Sequence, residues 1–414
     1  MKKKKVVFDV LLLMILVGLI FFLKIHSADE PLERDMTTYA YIAHQMLQGD
    51  QLYTDVLDHK PPGIYLLYLI SELIFGYGQL SITSLSIGFS ILSMLFLYLF
   101  LKNISDEKTA LVGCVFWVLA SNSVALQGNQ PNTELFMNTF TLIGLWAFSH
   151  WKEKKYQYLL LSGLFFGLES FFKMNAAFQI AVIGCYIFFY PPFKNQREWL
   201  KDRFKKISIF LLPTLCVWVC TFGYFYFNKN IDDFWNLVFS YNRSYAGNIF
   251  SNIYMFVTQK QYLFDACQKD VWILALLSFL WFFVGRIQYR NITKDFLLLL
   301  GIGAILKIAT PGKFFPHYYQ LYLPAFCIFS SLLIYELDRF IHKEKIKTIA
   351  TVCLFMIVFM FLGYSQWLYL NMTPYEISNK KYNRIFIESY EIAQLIKKIT
   401  SQEDQIYAWG AETG

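Results

Sequence analysis

The sequence predicts an all-helical protein that crosses a membrane many times, and three observations support this prediction. Hydrophobic residues make up 56% of the 414 residues and charged residues only 16%, whereas a soluble domain has about 25% charged residues. Apolar stretches of membrane-spanning length recur along the chain. Lys and Arg cluster in short segments between these stretches, as is typical of cytoplasmic loops. The net charge of +7 therefore needs no nucleic acid partner to explain it.

About eleven stretches are candidates for transmembrane helices. The first follows "KKKK" and has no small-residue cleavage site after it, so it is expected to remain as an uncleaved helix. The candidates are 6–25, 79–101, 109–127, 133–149, 156–171, 174–190, 207–227, 271–285, 295–309, 319–337 and 348–369.

The distribution of basic residues predicts the orientation in the membrane. Short segments such as "MKKKK", "HWKEKK" and "DRFIHKEKIK" hold most of the 37 Lys and Arg residues, whereas 26–78 contains only Arg34 and Lys60. Because cytoplasmic loops are the basic ones, we expect a cytoplasmic N-terminus. Segment 26–78 and the C-terminal region are then expected on the outer side.

The chain divides into a predicted transmembrane domain, 1–370, and the start of an extracytoplasmic region, 371–414. Within the outer loop 26–78, "MTTYAYIAHQMLQG" and "PGIYLLYLISELIFG" predict helices that lie along the membrane surface. In the C-terminal region, "RIFIESYEIAQLIKKI" predicts an amphipathic helix and "QIYAW" a strand. The chain ends in mid-pattern, so this region is expected to continue past residue 414.

Ionisable side chains gather on the predicted outer side. Such groups at membrane depth are costly and are therefore candidates for function. They include Glu33, Arg34, Asp35, Asp58, His59, Lys60, Glu134, Lys173, Lys307 and His317 with its neighbour Tyr318.

Each of these candidates also has a purely structural interpretation. The alternatives are an exposed ion pair for Glu33 and Arg34, a helix cap for Asp35, a first-turn acid for Glu134, contact with lipid headgroups for Lys60, Lys173 and Lys307, and an aromatic belt for His317 and Tyr318. These interpretations do not explain why so many polar groups fall on one side.

The stretch "ERDMTTYAYIAHQMLQGDQLYTDVLDHKPPGIYLLY" resembles the first outer loop of the GT-C membrane glycosyltransferases. It is most similar to family 39, which includes protein O-mannosyltransferases and lipid A aminoarabinose transferases. "NQPNTELFMNTF", "GLFFGLESFFKMNAA", "YNRSYAG" and "FPHYYQLYLPAF" resemble later segments of that family in the same order. The resemblance implies a GT-C fold over nearly the whole chain.

The resemblance also implies roles for particular residues. Asp35 matches the general base, Glu134 the second acid and Lys60 the lysine that contacts the donor phosphate. His317 is expected beside that phosphate, with support from Glu33, Arg34, His59, Lys173 and Tyr318. The family's usual acid pair is Asp-Glu, whereas this chain has Asp35 followed by Met36. This departure leaves a dependence on a divalent metal open.

The expected activity is transfer of a sugar, with inversion, from a polyprenyl phosphate to an acceptor hydroxyl on a protein, a lipid or a wall glycan. The expected location is the outer face of a bacterial plasma membrane. A transporter or flippase of lipid-linked sugars is the alternative from another functional class; such proteins often show internal symmetry, which the sequence lacks.

Overall fold

The protein is described by a computed structural model that covers residues 2–151, 156–189, 196–264, 270–284, 289, 292–401 and 404. The first half of the chain forms helices α1 Lys2–Ile25, α2 Arg34–Gln48, α3 Gly63–Phe75, α4 Gln79–Ile104, α5 Glu107–Ala120, α6 Thr133–His150, α7 Tyr156–Ser170, α8 Ala177–Phe189 and α9 Gln196–Phe227. The second half forms α10 Ile231–Trp235, α11 Asn242–Ala246, α12 Ile249–Thr258, α13 Lys260–Phe264, α14 Trp272–Phe283, α15 Lys294–Ala309, α16 Leu323–Phe340, α17 Glu344–Leu370, α18 Pro374–Tyr382 and α19 Ile385–Ile399.

Within these ranges the secondary structure is helical, apart from one isolated β-bridge between Leu52 and Val56. Short 3₁₀ turns occur at Met174–Ala176 and Pro316–Tyr322, and a π-helical segment occurs at Asn236–Tyr241. The all-α prediction is therefore confirmed for the described chain. The predicted strand at 405–409 lies outside the described residues.

A helix occupies most of the described part of each of the eleven predicted transmembrane stretches, although α5 ends at Ala120 within the stretch 109–127. By length and composition, four described segments are suited to cross a membrane: Gln79–Ile104, Trp199–Phe227, Pro316–Phe340 and Glu344–Leu370. The remaining helices are shorter or less apolar, so the count of eleven crossings stays a prediction.

Helices α7 and α9 approach each other closely because glycine lies at their contact. A Cβ atom on Gly163 would lie 1.8 Å from the carbonyl oxygen of Phe210, and one on Gly167 would lie 2.8 Å from the Cα of Thr214. Small residues four apart on one helix face are a common means of close packing in membrane proteins. Here they hold α9 against the core of the bundle.

The two helices predicted in segment 26–78 are present as α2 and α3. Helix α2 ends at Gly49, whose φ of 109° is left-handed, and α3 begins directly after Pro62. Their buried faces carry tyrosines, among them Tyr39, Tyr65 and Tyr68. The pair therefore packs on the helix bundle, and the segment that joins α2 to α3 faces the site described next.

Candidate active site

A cavity of about 780 Å³ lies among α2, the segment before α3, the turn after α7, the 241–249 region, the segment after α15 and the C-terminal helices. The structure places eight of the nine predicted site residues on its wall: Glu33, Arg34, Asp35, His59, Lys60, Lys173, His317 and Tyr318. Glu134 lies behind this wall. Residues separated by almost 300 positions in sequence thus share one hollow.

The start of α2 positions Asp35. The side chain of Glu33 caps this helix, because its Oε2 accepts the backbone N–H of Asp35 at 3.1 Å. The capping role that was an alternative for Asp35 therefore belongs to Glu33. This leaves the Asp35 carboxylate in the first turn, on the cavity wall, with a side chain that is 19% exposed.

Glu33 itself is buried beside Asp35. Its second carboxyl oxygen, Oε1, has no hydrogen-bond partner among the described residues. Burial, followed by the nearby charge of Asp35, raises the pKa of Glu33 to about 8. Because two close carboxylates cannot both ionise easily, Glu33 is the neutral member of this pair at pH 7 and Asp35 is the charged one.

Contacts of the backbone on both sides fix the position of Lys60. The hydroxyl of Tyr53 donates to the Lys60 carbonyl at 2.7 Å, and the N–H of Gly63 donates to the Phe171 carbonyl at 3.0 Å. A Cβ on Gly63 would lie 2.6 Å from that carbonyl oxygen. The two prolines between Lys60 and Gly63 restrict the backbone further, so "KPPG" forms a rigid support for the lysine.

The Lys60 ammonium lies between two carboxylates. Its Nζ is 3.5 Å from Oδ2 of Asp35, 4.0 Å from Oδ2 of Asp58 and 4.7 Å from the centre of the Tyr39 ring. Burial opposes ionisation of Asp35, but the charges of Lys60, His317 and Lys173 together outweigh it, and the pKa of Asp35 falls below its usual range. Burial also opposes the charged form of Lys60, but Asp35 and Asp58 outweigh it and raise the pKa of the lysine. Both groups are therefore ionised at pH 7.

Asp58 was among the candidates on the predicted outer side but received no expected role, and the structure places it on the cavity wall. Its carboxylate accepts hydrogen bonds from the Tyr65 hydroxyl at 2.7 Å and from the backbone N–H of His59 at 2.7 Å. Burial opposes its ionisation, but Lys60 and His59 outweigh this, and the pKa of Asp58 is lowered. Its position two residues before Lys60 was the sequence signal that pointed to it.

Glu134 contacts the cavity through Lys173. The Glu134 side chain is fully buried at the start of α6, forms a close ion pair with Lys173 and accepts the Thr133 hydroxyl at 3.0 Å. The Lys173 ammonium in turn lies 4.1 Å from the centre of the Tyr318 ring. Burial, and then the charge of Lys60, lowers the pKa of Lys173 against the opposing effect of Glu134. In this geometry Glu134 can position the lysine, and the lysine faces the cavity.

Lys307 does not extend to lipid headgroups, which was its structural alternative. Its side chain is 2% exposed and forms an ion pair of 2.7 Å with the fully buried Glu169. This pair lies inside the bundle, where Asn175 also donates to the Lys307 carbonyl at 2.6 Å. The pair ties α15 to α7 below the cavity.

The C-terminal helices complete the cavity wall, which the sequence did not predict. Tyr382 and Phe386 line the cavity, and Lys381 forms a buried ion pair of 2.6 Å with Glu30. On the opposite wall, Nδ1 of His317 lies 3.0 Å from Oε1 of Gln127. Among the described residues, no group of three or more His, Cys, Asp or Glu side chains is placed to hold a metal ion.

Comparison with known proteins shows which family and which folds this chain is similar to. The sequence model of the dolichyl-phosphate-mannose-protein mannosyltransferase family matches residues 59–221. The structure of apo ArnT from Cupriavidus metallidurans is similar, with a TM-score of 0.59 and 13% identity over 95% of this chain and 81% of that one. The chain has the GT-C glycosyltransferase fold. The resemblance inferred from the sequence is thus confirmed.

Two further GT-C structures are similar. ArnT bound to undecaprenyl phosphate has a TM-score of 0.54 and 13% identity, with 95% of this chain and 81% of ArnT covered. The oligosaccharyltransferase of Archaeoglobus fulgidus, tethered to an acceptor peptide, has a TM-score of 0.57 and 12% identity over 95% of this chain. The present chain spans 57% of the length of that enzyme. A search of the curated proteins finds no match.

Proposed function

We propose that this chain transfers a sugar from a polyprenyl phosphate to an acceptor hydroxyl, with inversion, on the outer face of a bacterial plasma membrane. The observation that carries the proposal is the meeting of Asp35 and Lys60. They lie 3.5 Å apart on the wall of one cavity, and both are ionised. The scarcity of basic residues in 26–78, which supplies both, supports the outer face.

The reaction needs one proton acceptor and one source of positive charge. Asp35 takes the proton of the acceptor hydroxyl as its oxygen bonds to the anomeric carbon of the sugar. The bond between that carbon and the phosphate oxygen breaks, and its electron pair remains on the phosphate. Lys60, with Lys173 on the neighbouring wall, stabilises the growing charge of the departing lipid phosphate, since fixed ammonium groups suit this purpose.

A second, apolar groove supports a lipid-linked donor. It has a volume of about 770 Å³ and is lined by residues of α3, α7 and α9, including Leu66, Cys216 and Cys220. Pro61 lies on the wall of the polar cavity and Pro62 on the wall of this groove. A polyprenyl chain in the groove would therefore carry its phosphate to Lys60. The similarity to ArnT with undecaprenyl phosphate is consistent with this class of donor.

The test is transfer by the purified, membrane-reconstituted chain. We expect release of lipid phosphate from at least one member of a panel of polyprenyl-phosphate sugars when acceptor proteins, lipids and wall glycans are supplied. Asp35→Asn should lower the rate about 100-fold or more, as for loss of a general base. Asp55→Asn is the matched control, because Asp55 is exposed on the same loop and outside the cavity. Transbilayer movement of a lipid-linked sugar without transfer would instead identify a transporter.

Cysteine labelling tests the groove separately. Cys216 and Cys220 are exposed and line the groove, whereas the exposed Cys185 and Cys353 lie outside it. We expect undecaprenyl phosphate to slow maleimide modification of the first pair and to leave the second pair unchanged. If undecaprenyl phosphate leaves the modification rate of all four cysteines unchanged, the groove is not the site of the polyprenyl chain.

A further inference from the structure

A π-helical segment positions aromatic side chains on the cavity wall. Between α10 and α11 the chain is π-helical over Asn236–Tyr241. Such segments are rare, and they are frequent at functional sites because the extra residue in the turn reorients the side chains that follow. Here the segment ends at Tyr241, and Tyr245 follows one helical turn later.

Three rings form a continuous aromatic wall, which we define as Tyr241, Tyr245 and His59. The two tyrosine rings stack at 6.0 Å with an interplanar angle of 18°. The His59 ring lies 5.2 Å from Tyr241 and 5.6 Å from Tyr245. Asn242 links the backbone of His59 to the π-helical segment, because its amide donates to the His59 carbonyl at 2.5 Å and to the Val238 carbonyl at 2.9 Å.

The aromatic wall faces the charged centre of the cavity rather than the protein interior. All three rings line the cavity, and Tyr241 is 48% exposed. Burial raises the pKa of the Tyr245 hydroxyl, and the charges of Lys60 and Asp35 also act on it, which indicates that this ring is near the ion pair. The ammonium of the exposed Lys313 lies 4.2 Å from the centre of the Tyr245 ring, which places a positive charge beside the aromatic wall.

We propose that the aromatic wall is a stacking surface for the pyranose ring of the lipid-linked donor. The proposal rests on the proposed function and adds the part of the site that binds the sugar. One face of a pyranose presents C–H bonds and packs on an aromatic ring, while its hydroxyls need polar partners at the edge. The wall supplies the rings, and Asp58, His59 and Lys313 supply polar groups around them. Because His59 directly precedes Lys60, a sugar on the wall lies next to the phosphate that Lys60 binds.

The test compares two kinds of lipid. The affinity of the reconstituted chain is measured for undecaprenyl phosphate and for undecaprenyl phosphate that carries a hexose, an N-acetylhexosamine or a pentose. We expect tighter binding of at least one sugar-bearing lipid. Tyr241→Ala and Tyr245→Ala should weaken binding of that lipid about three- to tenfold and leave the affinity for undecaprenyl phosphate unchanged. The Phe variants should keep the affinity, since they keep the ring.

Two controls separate this proposal from the proposed function. Lys60→Met should weaken binding of both lipids, and Tyr254→Ala, an exposed tyrosine of α12 outside the cavity, should weaken neither. The stacking surface is refuted if the Ala variants lose affinity for both lipids equally, if they lose none, or if no sugar adds affinity to the wild type. Failure of undecaprenyl phosphate itself to bind would instead refute the proposed function, and the stacking surface with it.

Discussion

The ion pair of Glu134 and Lys173 gives a quantitative test of how the site is held together. The Glu134 side chain is 0% exposed and that of Lys173 is 14% exposed. Replacement of Lys173 by Met would leave a buried carboxylate with the Thr133 hydroxyl as its side-chain partner. Breaking a buried pair in this way costs about 3–5 kcal/mol. That is a large part of the total stability of about 5–15 kcal/mol that is typical of a folded protein.

A double variant tests whether the loss of stability comes from leaving the Glu134 charge unpaired. Glu134→Gln combined with Lys173→Met removes both charges, and such replacements are often close to neutral. We therefore expect the double variant to recover most of the loss. The exposed pair of Lys102 and Glu107, at 2.9 Å with side chains 45% and 29% exposed, is the control, and Lys102→Met should cost less than about 1 kcal/mol.

The assay is unfolding by denaturant in detergent micelles, with the slope of the transition compared between variants. A Lys173→Met cost below about 1 kcal/mol, or a double variant as unstable as the single one, would refute the argument that Glu134 is a charged, paired group. Transfer activity measured on the same samples adds the functional result. Because Lys173 is proposed to stabilise the donor phosphate, the double variant should remain less active than the wild type even if Glu134→Gln restores its stability.

Three further predictions follow from the same geometry. Gly63→Ala should lower transfer activity and stability together, because its Cβ would meet the Phe171 carbonyl at 2.6 Å; unchanged activity would contradict the role of this contact. Asp35 has a lowered pKa, so protonation of Asp35 should not slow transfer at any pH above about 4. A profile of the transfer rate against pH should therefore show no acidic limb from this group above that value. The folded-state pKa of Glu33 is raised from 4.5 to about 8, so stability should fall as pH rises through that window, with a slope on the order of 1 kcal/mol per pH unit. Unfolding curves of Glu33→Gln should lack this slope.

The local features of the fold were readable from the sequence. Apolar stretches predicted the positions of the long helices, and a glycine at residue 49 and prolines at 61 and 62 predicted where α2 ends and α3 begins. These signals work because they act between residues a few positions apart, through backbone conformation and hydrogen bonds within one helix. The location of the polar residues on the outer side stays a prediction, which rests on the distribution of basic residues between the helices.

Only the tertiary structure decided which polar groups meet. Glu33, rather than Asp35, caps α2, and Glu134 lies behind Lys173 rather than on the cavity wall. The contact between Lys381 and Glu30 joins the two ends of the chain. In each case the outcome depends on how the helices pack, because packing sets which charges are removed from water together and must therefore be paired. Sequence alone determined the types of groups available for chemistry, and the packing of the segment before α3 against α2 placed the Lys60 ammonium 3.5 Å from the Asp35 carboxylate.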